Sequence, residues 1–224
     1  MLGALLIFAT ASSQDSPLNK LTADEMAAGF ELLFDGKSLA NFKGYNRDDV
    51  PTSWSASGGE LVFTPGSDRG DLSTVRKFTD FDLRVEFKIS AGGNSGIKIL
   101  VAEDGGEDSP IGPEFQIIDD TAYELAANQM TGANYDMHAP VRDAHRPAGQ
   151  WNKARILKRG NSVEHWLNGF KIVEYELHSE DWVKRRAASK YSEMPSYAKD
   201  DMGYICFQDH GTRVWFRNMR IRRL

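Results

Sequence analysis

The sequence predicts an all-β protein, a sandwich of two antiparallel sheets preceded by one short helix. Three observations carry this. Short strand-like segments recur at regular spacing along most of the chain. The clearest of them, residues 81–89, places Leu83, Val85, Phe87 and Ile89 on one side and Arg84, Glu86 and Lys88 on the other, the period of a half-buried strand. Hairpin signals at Gly58-Gly59, Arg159-Gly160-Asn161 and Asn168-Gly169 then join neighbouring segments antiparallel. No internal repeat and no glycine-rich phosphate loop before a helix is found.

The elements follow in order. Thr22-Ala23-Asp24-Glu25 is a capping box and Gly29 a C-terminal stop, which predicts a short helix over 23–28. Strands are expected at 30–34, on both sides of Gly58-Gly59 within 54–63, and at 72–77, 81–89 and 96–101. A flexible acidic loop follows at 102–113, and then a strand between Gly112-Pro113 and the paired aspartates Asp119-Asp120. Residues 121–149 are too long for a plain connection and contain Asn134-Tyr135-Asp136, His138 and His145, which favours a functional loop. Strands at 151–158, 162–167 and 170–177, a charged helix-compatible insert at 179–201 with Trp182, and strands at 203–209 and 212–222 complete the chain.

Residues 2–11 are apolar, too short to span a bilayer, and end in Ala9-Thr10-Ala11 before polar Ser12-Ser13-Gln14-Asp15. This reads as a signal peptide over 1–11 and an exported, periplasmic or secreted protein. No Lys or Arg precedes the run, so a buried N-terminal strand competes with that reading. No Cys follows it, hence no lipid anchor of the bacterial kind is expected. The one cysteine, Cys206, has no partner for an internal disulfide. With 27 Lys and Arg against 32 Asp and Glu, the net charge is −5, and no basic block suggests nucleic acid; Arg217, Arg220, Arg222 and Arg223 read as a solvated final strand. The 5 Trp, 7 Tyr and 12 Phe suit both a sandwich core and a sugar-stacking cleft.

The stretch that invites chemistry is Gly112-Pro-Glu-Phe-Gln-Ile-Ile-Asp-Asp120. Phe115 and Ile117 alternate with Glu114 and Gln116, so one face carries a carboxylate and an amide. A bulge at Ile117-Ile118 would bring Asp119 to the same side. A solvated outer face is the plain alternative.

Read together, several segments resemble one family: Gly29-Phe-Glu-Leu-Leu-Phe-Asp-Gly-Lys-Ser-Leu39, Asn94-Ser-Gly-Ile97, Gly112-Pro-Glu-Phe-Gln-Ile-Ile-Asp119, Gly132-Ala-Asn-Tyr135, Gly149-Gln-Trp-Asn152, His165-Trp-Leu-Asn-Gly169 and Gly203-Tyr-Ile-Cys-Phe-Gln-Asp-His-Gly211. Their order is similar to the 3-keto-disaccharide hydrolase domain family, over a domain spanning 21–224. The resemblance implies a concanavalin-like jelly-roll sandwich acting on sugars oxidised at C3. The spacing of Glu114, Gln116 and Asp119 is also similar to the Glu-x-Asp-x-x-Glu strand of laminarinase-type glycosidases. Gln116 carries no charge and Asp119 is a methylene shorter than Glu, so the usual pair of carboxylates is weakened.

A 3-keto group acidifies the C2 hydrogen, which allows elimination of the C1 substituent and water addition. Such a site needs a base, donors for the enolate oxygen and an acid for the leaving group. Glu114, His210 and Asp119 are the catalytic candidates; Asn94, Ser95, Lys98, Gln116, Tyr135, His165 and Gln208 are the substrate-binding ones. Gln208 and His210 share a face in strand alternation. His165, near a hairpin end, reads more readily as a packing residue, and Asn94-Ser95-Gly96 reads equally as a turn. No cofactor is required by any motif. No His-x-His or His-x-x-x-His pair occurs, but an oxygen-rich site would leave no signature, so a divalent metal such as Ca²⁺ stays open. The expected partner is a carbohydrate, and the alternative to an enzyme is a lectin-like carbohydrate-binding module.

Overall fold

A computed structural model of the chain describes residues 18–103 and 109–224. The signal-peptide reading over 1–11 and the middle of the acidic loop lie outside the described residues. Two antiparallel sheets pack face to face, a jelly-roll sandwich as the sequence predicts. The strands are β1 (Glu31–Leu32), β2 (Phe42–Gly44), β3 (Trp54–Ser57), β4 (Glu60–Phe63), β5 (Leu72–Thr74), β6 (Phe81–Ile89) and β7 (Asn94–Val101). They continue as β8 (Glu114–Ile118), β9 (Asn152–Arg159), β10 (Ser162–Leu167), β11 (Phe170–Glu176), β12 (Tyr204–Phe207) and β13 (Val214–Arg223). The 8-stranded sheet runs β11-β10-β9-β6-β13-β4-β3 with β1 on β13; the 5-stranded sheet runs β2-β5-β12-β7-β8.

Helix α1 (Ala23–Ala27) has the expected capping box: the Glu25 amide donates to Thr22 Oγ1 and the Thr22 amide to the Glu25 carboxylate. Helix α2 (Glu180–Ala187) forms in the charged insert, capped by Ser179 and burying Trp182. The Gly58-Gly59 and Asn168-Gly169 turns have positive φ at both central positions, which two-residue hairpins demand.

The core lies between the sheets. Phe87 of the large sheet meets Phe115 of the small one at 6.4 Å, and Phe216 meets Phe207 at 5.1 Å. Each such buried side chain contributes about 1.5–3 kcal/mol. With the apolar residues of β8, β7 and β12 committed to this layer, strand alternation sends Glu114, Gln116, Lys98, Cys206 and Gln208 to the other face of the small sheet. Residues 132–135 pair along β8, with the Gln116 amide donating to the Ala133 carbonyl and the Tyr135 amide to that of Glu114, so β8 is not left as an open edge.

Candidate active site

The ladder of the small sheet sets the site. Lys98 is the cross-strand neighbour of Glu114 on β8 and of Cys206 on β12, and Cys206 in turn faces Ser73 on β5. The next row holds Gln116 opposite Gly96, with the Gln208 amide donating to the Gly96 carbonyl. Gly96 has a specific task. A Cβ there would run into the Glu114 carboxylate, so the missing side chain lets that carboxylate lie across the sheet. Glu114 is 2% exposed, whereas a plain outer face would leave it solvated. The Lys98 ammonium donates to the Pro110 carbonyl at 3.0 Å.

Asp71, which the sequence did not single out, stands one residue before β5 on the same face. Burial pushes its carboxyl up to about 6, against the pull of Lys98 and the Asp209 amide, with Asp209 and Glu114 adding to the rise. Above this row, Tyr135 stands beside Glu114, and the Lys190 ammonium lies over the Tyr135 ring at 4.2 Å and the Tyr191 ring at 5.0 Å. Burial first, then Glu114 and Asp136, raise the Tyr135 phenol, which stays a proton donor. The Gln116 side-chain carbonyl, the Asn94 side-chain carbonyl and the Tyr191 hydroxyl are buried without a hydrogen-bond partner. Polar atoms left in this way suit a ligand or water.

Other candidates fall elsewhere. β8 pairs with β7 in unbroken register from Asn94 opposite Ile118 to Lys98 opposite Glu114, so the expected bulge at Ile117-Ile118 is absent. Asp119 therefore falls on the side opposite Glu114 and Gln116. Its carboxylate accepts from the Gly92 amide at 2.8 Å and from Thr121 at 2.7 Å, bonds that hold its pKa below the usual range. That is loop-tying work. Ser95 points between the sheets and donates to the Gln208 carbonyl. His165, on the large sheet, is 1% exposed: it packs on Phe115 at 5.1 Å and its Nδ1–H donates to the Gly132 carbonyl. Burial pushes it down to about 4, so it is a neutral core residue. His210 lies beyond the end of β12 and is exposed. Gln208 and Tyr135 remain at the site. Among the described residues no group of three or more His, Cys, Asp or Glu sits close enough to hold a metal ion. None of the described helices is long and apolar enough to cross a membrane.

A profile of the 3-keto-alpha-glucoside-1,2-lyase-like domain matches residues 29–222. The chain belongs to this family. It is similar to a protein of Bacteroides thetaiotaomicron named 3-keto-disaccharide hydrolase, at 34% identity over 88% of this chain and 79% of that one. Among solved structures it is similar to a candidate glycosyl hydrolase from Parabacteroides distasonis, with 38% identity, a TM-score of 0.85, and coverage of 92% of this chain and 99% of that one. A second candidate glycosyl hydrolase of the same organism, at 24% identity and a TM-score of 0.66, covers 87% of this chain and 99% of its own and shares the fold.

Proposed function

We propose that this protein is a carbohydrate-cleaving enzyme that acts on 3-keto-glycosides by elimination followed by hydration. The observation that carries the reading is the cluster Asp71, Lys98, Glu114: two carboxyl groups and an ammonium on one face, with Glu114 laid over Gly96. A binding module gains nothing from holding such groups buried, whereas proton transfer needs them. The family and the named hydrolase relative point the same way.

In this scheme Glu114 takes the C2 proton. The electron pair passes into the adjacent carbonyl and forms the enolate, whose oxygen Lys98 and Lys190 stabilise. As the C3 carbonyl re-forms, a C1–C2 double bond appears and the C1–O bond breaks. Asp71, protonated below about pH 6, hands its proton to the leaving oxygen. Water then adds at C1 and a proton returns to C2, so the sum is hydrolysis. Gln116 and Gln208 orient the ring hydroxyls.

The test offers the purified protein a 3-keto-disaccharide and the unoxidised parent. Cleavage of the first alone is expected; cleavage of both, or binding of either without turnover, contradicts the proposal. We further propose export, supported by the apolar run at 2–11. Intact mass of the protein from its native host should then correspond to a start near Ser12, and retention of Met1 would refute it.

A further inference from the structure

The sandwich has a second polar face, on the solvent side of the large sheet and therefore opposite the Glu114 row. There a groove of about 1110 Å³ runs over β6, β9 and β13. Six cations line it, Arg84, Arg146, Lys153, Arg155, Arg217 and Arg220, against two carboxylates, Glu25 and Glu86. Both carboxylates are already engaged, Glu86 by Arg217 at 2.7 Å and Glu25 by Arg220 at 2.6 Å. Beside the groove, on the same face of β6, the fully buried Asp82 is shared by three guanidiniums, those of Arg84, Arg155 and Arg222. Arg146 and Lys153 are exposed. The groove thus carries an excess of positive charge on a chain whose net charge is −5.

Two indoles stand among these cations. Trp166 is fixed by its Nε1–H, which donates to the Glu164 carboxylate at 2.7 Å, and the Arg155 guanidinium sits 5.4 Å from its ring centre. Trp151 carries Arg217 at 3.9 Å and Lys88 at 4.7 Å. Indole with neighbouring guanidinium is a recognition pair: the ring takes the apolar face of a sugar and the planar fork takes a carboxylate or sulfate. The volume exceeds the roughly 300–1,000 Å³ of common small-ligand pockets, which fits several sugar rings better than one. A positive field confined to one groove suits a short ligand bearing a few charges more than a long polyanion.

We infer that this face is a second, non-catalytic binding site for an acidic oligosaccharide, carboxylated or sulfated. The inference does not depend on the reading of the Glu114 face, because binding is measured apart from turnover. Titration calorimetry of the full chain would use tetragalacturonate and a chondroitin sulfate tetrasaccharide, with maltotetraose and a ten-nucleotide single-stranded DNA as controls. Binding of at least one acidic tetrasaccharide is expected, at least tenfold tighter than either control and weakening as salt rises. The arm that binds identifies the anionic group. R146E/K153E, both exposed positions, and separately Trp166→Ala should each weaken binding at least tenfold while the melting temperature of R146E/K153E stays unchanged. No binding of either acidic sugar, equal binding of maltotetraose or DNA, or undiminished affinity in R146E/K153E would overturn the inference.

Discussion

The centre of the large sheet's outer face and the Glu114 row of the small sheet handle charge in opposite ways. On the large sheet, carboxylates are matched to guanidiniums at short range: Asp82 to Arg155 at 2.7 Å, Glu86 to Arg217 at 2.7 Å, Glu25 to Arg220 at 2.6 Å. On the small sheet, Glu114 and Lys98 are neighbours in register, yet Lys98 turns to a carbonyl and Asp71 is driven toward neutrality by burial. Matched ions maintain a surface. Ions kept buried without an ion partner among the described residues cost folding free energy, and in the proposed mechanism they are the groups that move protons.

The sharpest way to break this comparison is to neutralise one carboxylate on each face. Glu114→Gln keeps the shape and removes the proton acceptor, so turnover should fall by about 10²–10⁴ with folding intact. Steady-state kinetics and a thermal melt check it. Asp82→Asn should do the reverse. It leaves three guanidiniums without their carboxylate and should cost about 3–5 kcal/mol of stability, read by chemical denaturation, while activity per folded molecule persists. Burial alone would raise the Asp82 pKa, but Arg155 and Arg84 hold it below the usual range. Its stabilising contribution is therefore present above the ordinary carboxylate range and is lost as pH falls through the lowered value.

Smaller changes sharpen the account. Gly96→Ala should push the Glu114 carboxylate aside and lower turnover by about tenfold or more, since misplacement of about 1 Å can cost 10²-fold. With Asp71 as the acid, the rate should fall as pH rises through about 6, because the proton needed by the leaving group is lost. Asp71→Asn should abolish that limb along with most activity. The same raised pKa makes the ionised carboxyl oppose folding, so stability falls as pH rises through about 6, and Asp71→Asn should flatten that dependence too. The smallest effect is expected at exposed His210: His210→Ala should keep turnover within about threefold, the sub-kcal range of surface changes.

Much of this architecture is legible in the residues. The alternation of Leu83, Val85, Phe87 and Ile89 states its buried face outright, and the shared face of Glu114 and Gln116 follows from their spacing. What is not legible depends on contacts made across the fold. His165 is a core residue because the 132–135 segment crosses over it and Gly132 supplies an acceptor, neither of which its own strand can announce. Asp119 looked like a third site carboxylate only through an assumed bulge; Gly92 and Thr121, which occupy it, come from two separate loops. The real irregularity in this sheet is between Tyr204 and Cys206 against β7, where Leu100 takes a positive φ and Gly203 lies on its backbone. Asp71 ends an irregular loop with no pattern around it, and Lys190 reaches the site from the insert at 179–201. Tertiary placement alone brings these two to the row.

In the proposed mechanism, bond cleavage starts with loss of the C2 proton to Glu114. A 3-keto-disaccharide deuterated at C2 tests it most directly, with the rate compared to the protium substrate and the product analysed for deuterium. The account predicts slower turnover of the deuterated substrate, or replacement of its C2 deuterium by solvent hydrogen, and Glu114→Gln should suppress both cleavage and exchange. Full retention of C2 deuterium with no isotope effect, on a substrate that the enzyme cleaves, would contradict it.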